Sequence, residues 1–237
     1  MLVAVAVVCL AVALLLLWLG VSLVSRLRFQ FSVRSLLLFV AVVAVVCSWF
    51  AVKMQEARRQ KEAVAAIEKG EGSVFYDYEF DANGNFLPGT PEPPGPPWLR
   101  NLLGVDFLSD VAGIGYLDAT DADLTRLKGI TSLEYLQLWG TQVTDAGLMH
   151  LKGLTRLKRL TLGPTTQVTD AGLGHLKGMT TLRSLLLNET QVTDAGLVHL
   201  KGLTSLETLV LKRTQVTDAG LMHLEGLTRL QQFPLAL

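Results

Sequence analysis

The sequence is short of cysteine, with two in 237 residues, Cys9 and Cys47. Both fall in apolar runs near the N-terminus, so no disulfide framework holds the rest, and neither an oxidising nor a reducing compartment is implied. Net charge is equally scarce, with 21 basic and 21 acidic side chains. A nucleic-acid binder needs a basic excess, which excludes that class. Catalytic signatures are missing too. No Ser or Cys sits in a nucleophile elbow, and no His has an obvious carboxylate orienter outside a repeated frame. Gly113 and Gly115 lack the third glycine of a dinucleotide-binding turn, since Asp118 stands there. Asp81, Asn83, Asn85 and Glu92 fall on ligand positions of a calcium loop, but Phe86 replaces the glycine that loop requires. Asn83-Gly84 reads instead as a tight turn. An enzyme, a cofactor and a small-molecule substrate are therefore not expected.

What the chain does hold first is apolar sequence: half of all residues are hydrophobic. Leu2 to Val24 carries no charge and would extend about 34 Å as a helix, enough for a bilayer core of roughly 30 Å. A cleaved signal would have a basic start and a shorter apolar stretch, and nothing basic precedes Leu2. A second run, Leu36 to Val52, lies at the lower length limit for a span. Residues 1–52 thus read as two transmembrane helices joined by a short basic loop. Arg26, Arg28 and Arg34, with no acidic residue among them, hold that loop in the cytoplasm and put the remaining chain outside. Lys53, Arg58, Arg59 and Lys61 oppose that orientation, though Glu56 and Glu62 are interleaved.

Residues 53–70 are rich in helix formers and end at Gly70, which predicts a stalk helix with a solvated charged face. Within 71–97, Val74, Tyr76, Tyr78 and Phe80 alternate with Phe75, Asp77 and Glu79, predicting a short half-buried strand. A Pro/Gly linker follows from Pro88 to Pro97. Residues 98–237 form the last domain, where Trp98, Leu99, Leu102 and Leu103 have helical spacing and are expected to plug its open end.

That domain is repetitive. Thr-Gln-Val-Thr-Asp-Ala-Gly-Leu begins at Thr141, Thr166, Thr190 and Thr214, a period of 24 or 25 residues, which marks a stacked solenoid. Each copy opens with a strand, as in Leu133-x-x-Leu136-x-Leu138, whose leucines face inward. It closes with a helix that Thr144 caps, Asp145 favours at its positive end, and Gly153 stops. Leu148, Leu151 and Leu154 line one face of it. One unit cannot bury its own leucines, so neighbours must share a core. Val111 to Leu124 is an imperfect first copy, and the chain stops at Leu237 inside a strand unit, leaving a sheet edge unprotected.

The pattern L-x-x-L-x-L-x-x-T-x-V-T-D-A-G-L resembles the leucine-rich repeat, with Thr where the usual Asn or Cys stands. Its T-D-A-G-L portion is most similar to the cysteine-containing subtype and to bacterial membrane-anchored relatives. The resemblance runs from Leu102 to the C-terminus. It implies an α/β solenoid, a right-handed arc with a parallel sheet on its concave side, here preceded by transmembrane helices. It also implies that the Thr141, Thr166, Thr190 and Thr214 hydroxyls satisfy turn backbone, as the family's Asn does.

Four histidines, His150, His175, His199 and His223, share one repeat position and form a column. Such a column could bind zinc or sense pH, but duplication of one surface residue produces it equally well, so no metal site is expected. The Asp145, Asp170, Asp194 and Asp218 column reads as helix starts. Positions that vary between copies are those that stacking leaves free, and they lie on the outward strand face. They are Tyr135, Gln137 and Trp139, then Arg159 and Thr161, then Ser184, Leu186 and Asn188, then Thr208, Val210 and Lys212. Tyr, Trp and Arg are frequent interface anchors. This face is the candidate site for a protein partner, with Tyr135 and Trp139 side by side as its anchors. The rival readings are a structural envelope scaffold and a histidine-ladder metal or pH sensor.

Overall fold

One helix carries the chain out of the second apolar run and into the repeats. The computed structural model describes residues 33–81, 84–89, 91–164 and 166–231. The first predicted span at Leu2 to Val24, the arginines at 26 and 28, Asn83 and the chain end at Leu237 lie outside the described residues. Two compact units divide the chain, residues 1–58 and 59–237.

Helix α1, Val33–Lys69, is unbroken because neither Gly nor Pro interrupts it. It stops at Gly70, whose N–H donates to the Ile67 carbonyl at 2.9 Å. Among the described residues it is the one helix long and apolar enough to cross a membrane. In the first unit Val45 is 68% and Trp49 59% exposed.

In the second unit the last turns of α1 close the first end of the core. Gln60, Val64 and Ile67 fall on one helical face, and Val64 and Ile67 join the leucine core. Gln60 Nε2 donates to the Ser109 carbonyl at 2.9 Å and its Oε1 accepts from the Val111 N–H at 3.4 Å. The stalk is therefore solvated on one face and packed on the other. Helix α2, Pro97–Leu103, forms as its spacing predicts, followed by α3, Val105–Leu108. It does not plug the end: Trp98 is 66% and Leu102 60% exposed, because Ile67 and Val64 already occupy that place.

The sheet has six strands in chain order. β1, Ser73–Tyr76, pairs antiparallel with β2, Val111–Tyr116. It is shorter than the alternation through Phe80 predicts. Tyr76 N–H turns back to the Glu79 carboxylate at 3.0 Å, and a 3-10 turn takes Asp77–Glu79. The chain then doubles back in a hairpin, with Gly84 N–H donating to the Asp81 carbonyl at 3.0 Å.

From β2 onward the strands are parallel and in phase: β3 Tyr135–Leu138, β4 Arg159–Leu162, β5 Ser184–Leu187 and β6 Thr208–Val210. Ile114, Leu136, Leu160, Leu185 and Leu209 stand in one register row and all are buried. Fully burying such a side chain contributes about 1.5–3 kcal/mol. After each strand comes a helical turn: α4 Asp121–Leu124, α5 Asp145–Leu148, α6 Asp170–Leu176, α7 Asp194–Leu197 and α8 Asp218–Leu221. Leu148, Leu173 and Leu197 are fully buried beneath them.

The T-D-A-G segment joins one repeat to the next. Thr193 accepts from Ala195 N–H at 3.3 Å and so caps its own helix. Its hydroxyl and its N–H donate to the two Asp170 oxygens of the preceding repeat, at 2.6 and 2.8 Å. The same pair of bonds joins Thr144 to Asp121, Thr169 to Asp145 and Thr217 to Asp194. The Asp column thus serves the neighbouring repeat as well as its own helix start. Gly196 follows from this, because a Cβ there would run into the Asp170 carboxylate. The other Thr column turns back on its own strand end: Thr166, Thr190 and Thr214 hydroxyls donate to the Gly163, Leu187 and Leu211 carbonyls at 2.8–2.9 Å.

Candidate functional site: the outward face of the sheet

Side chains alternate along each strand, so burying Leu136 and Leu138 turns Tyr135, Gln137 and Trp139 outward. In-phase pairing repeats this on every rung, with Tyr135 beside Arg159 and Gln137 beside Thr161. Residues from all six strands line one hollow of about 560 Å³, from Phe75 on β1 to Val210 on β6. The outward face is therefore concave.

Its first end is built by residues that the sequence reading left outside the site. Phe80 stacks on Tyr135 with ring centroids 4.6 Å apart, and Phe86 packs against Phe80 at 4.6 Å and Phe75 at 5.0 Å. Glycine on β2 makes this possible, since a Cβ on Gly113 would lie 3.0 Å from Phe80. The signal was available as an aromatic cluster at 75–86 and a side-chain-free strand at Gly113 and Gly115, but nothing local connects them.

Tyr135 is consequently half-buried and clamped between Phe80 and Arg159, whose guanidinium carbon lies 5.7 Å from the ring centre. Burial and the Glu134 carboxylate push its phenol above the ordinary range, so it is neutral at pH 7. Trp139 stands apart from it, 41% exposed, leaning over Gly163. The two rings do not form one pair: Tyr135 belongs to the aromatic wall and Trp139 stands on the rim. Thr161 is only 5% exposed and forms floor. Leu186 and Val210 are half-buried in the hollow, while Gln137, Arg159 and Lys212 are exposed. Asn188 is half-buried, and among the described residues nothing donates a hydrogen bond to its Oδ1. It lines an adjoining hollow of about 420 Å³ shared with Trp139, Pro164 and Lys212.

Charges at the margins are paired. Glu134 takes Lys158 at 2.6 Å and Arg156 at 3.3 Å, Glu207 takes Arg183 at 3.7 Å, and Glu189 takes Arg213 at 2.7 Å. Among the described residues Arg159 and Lys212 have no carboxylate partner. The histidine column lies on the helical side, each ring half-exposed. No group of three or more His, Cys, Asp or Glu among the described residues is gathered tightly enough to hold a metal ion.

In-phase parallel strands, each followed by a helical turn over a shared leucine core, define a solenoid of the α/β class. Residues 202–224 match the family model described as Leucine Rich repeat. The copies at Thr141, Thr166 and Thr190 repeat the T-D-A-G-L pattern of that matched stretch. Solved structures similar to the chain include an internalin of Listeria monocytogenes, at 30% identity over 48% of this chain and 32% of that one, with a TM-score of 0.42. Internalin C2 of the same organism is another, at 28% identity over 52% of this chain and 51% of that one, also with a TM-score of 0.42. The chain thus spans between a third and about half of their lengths. No curated protein matches the sequence.

Proposed function

We propose that the chain is a membrane-anchored leucine-rich-repeat module that binds a protein through its concave sheet face. The observation that carries this is the contrast between the two sides of the solenoid. Thr and Asp on the helical side are consumed in repeat-to-repeat bonds. The sheet side offers one continuous hollow with a Trp rim, an aliphatic floor and Arg159, which has no carboxylate partner among the described residues; Trp and Arg are residue types that anchor interfaces. Anchoring rests on α1, whose Val40, Val42, Val45, Val46 and Trp49 are exposed and would be costly to leave in water. Arg26, Arg28 and Arg34 orient the span so that the repeats lie outside the cytoplasm.

The test is site-specific photo-crosslinking in intact cells, with the reactive residue at position 139 or 186 on the sheet side or at 149 on the helical side. The reading expects a discrete protein adduct from the sheet positions alone. Adducts only from position 149, or none from the sheet side, would refute it. Protease added to spheroplasts should remove the repeats, and full protection would reverse the orientation.

A further inference from the structure

Outward positions from β3 to the turn after β6 include Arg159 and Lys212 and no acidic side chain. Of the acidic residues around the hollow, Glu134, Glu189 and Glu207 are each held by a basic neighbour at the margin, while Asp77, Asp81 and Asp110 line a separate hollow on the far side of Phe80 and Tyr135 from Arg159. Among the described residues the face therefore presents two cations without a carboxylate partner, Arg159 in the hollow floored by Leu186 and Val210, and Lys212 in the adjoining hollow beside Trp139. Arg159 is preorganised by its position over Tyr135, which Phe80 fixes from below. A forked guanidinium held this way suits a carboxylate.

Register sets the separation of the two charges. Arg159 pairs with Ser184 and Ser184 with Thr208, so Lys212 lies two strands across and four residues along. At strand spacings this is roughly 16 Å, the length of about five extended residues. Nucleic acid would require a dense basic track, which a chain with zero formal net charge and paired margins does not provide. We infer, resting on the binding role proposed above, that the partner enters the hollow as an extended acidic polypeptide segment. Two carboxylates about five residues apart meet Arg159 and Lys212, and apolar residues between them cover Leu186 and Val210.

The experiment uses the full chain in nanodiscs and fluorescent peptides with two glutamates flanking four apolar residues. Control peptides carry glutamine or lysine in place of glutamate, or place the two glutamates side by side. The spaced diglutamate peptide should bind, and each glutamate replaced by glutamine should weaken binding about tenfold. Arg159→Ser should lose a similar factor and become indifferent to one of the two glutamates, and Lys212→Ser to the other. Equal binding of the glutamine or lysine peptides, sensitive to Trp139→Ala, would overturn the acidic partner while leaving the concave site standing. Diglutamate binding that survives Arg159→Ser, Lys212→Ser and Trp139→Ala alike would remove the concave site itself. Absence of binding by every peptide would overturn the inference.

Discussion

Gly196→Ala should destabilise the native chain, yet be neutral or stabilising in a chain that already carries Asp170→Ala. A Cβ at Gly196 would collide with Asp170 Oδ1 and approach Leu173 Cδ1 to 3.1 Å. That carboxylate is held by the Thr193 N–H at 2.8 Å and hydroxyl at 2.6 Å. Hydrogen bonds to a charged group are worth about 1.5–3 kcal/mol each. Partial relaxation and partial exposure of the pair bring the expected loss to about 2–4 kcal/mol. Gly196 does not have a left-handed φ, so backbone strain adds nothing, and alanine's helix preference would by itself gain up to about 1 kcal/mol. Once Asp170→Ala has removed the carboxylate, that gain is opposed only by the approach to Leu173 Cδ1, the far end of a flexible side chain that a small shift relieves. The substitution should therefore become neutral or change sign, with a coupling of about 2–5 kcal/mol, at or above the upper end for residues in contact. Urea unfolding of the full chain in detergent micelles, followed by circular dichroism for the two single variants and the double, measures it. Equal destabilisation in both backgrounds would show that the Asp–Thr bonds do not hold the repeats together and that the glycine is there for another reason.

Thr190→Val keeps the shape of a buried side chain and removes the donor to the Leu187 carbonyl. It should cost about 1–3 kcal/mol, and an unchanged thermal midpoint would contradict that role. Phe80→Ala removes the ring stacked on Tyr135, so hydrogen exchange in residues 78–87 should rise while the β4–β6 core stays protected. Unchanged exchange would mean that the aromatic wall is held by β1 alone. The Thr217 hydroxyl and then its backbone N–H hold the Asp194 carboxyl below its ordinary range. A carboxylate depressed in the folded state contributes stability above its unfolded pKa of about 3.9 and loses it as pH falls through the folded value. The stability gap between wild type and Asp194→Asn should accordingly begin to shrink as pH falls towards the unfolded pKa of about 3.9 and go on shrinking until pH has passed the folded value, and a constant gap in unfolding midpoints across the acid range would refute the assignment.

Much of the solenoid is legible without coordinates because its causes are local and recur. Two-residue alternation dictates that Leu136 and Leu138 are buried and Tyr135, Gln137 and Trp139 are not. Thr144 caps the helix beside it through a bond to Ala146 N–H at 3.2 Å. Glycine ends α1 at residue 70. Repetition then multiplies one local solution along the chain. The candidate face is readable for the same reason, since variation between copies marks the positions that stacking leaves free.

The remaining features depend on what stacking brings together. Each copy contains both Thr and Asp of T-D-A-G, but only the packed array reveals that Thr193 reaches Asp170 of the preceding repeat, and hence why glycine stands at 196. The amphipathic end of α1 could have faced water, and Trp98 could have filled the core; the pairing of Gln60 with Ser109 and Val111 chose Ile67 instead. Likewise the aromatic residues at 75, 80 and 86 signify only strand and hairpin until β1 pairs with β2. That pairing lays Phe80 across Gly113 onto Tyr135, buries half of one expected anchor and leaves Trp139 alone on the rim. The repeat units, their inward leucines and the free face are determined by the sequence itself, because short-range sterics and periodicity suffice. The shape and wall of the hollow and the separation of Arg159 from Lys212 are decided by tertiary structure, because they arise from contacts between segments that no local pattern relates.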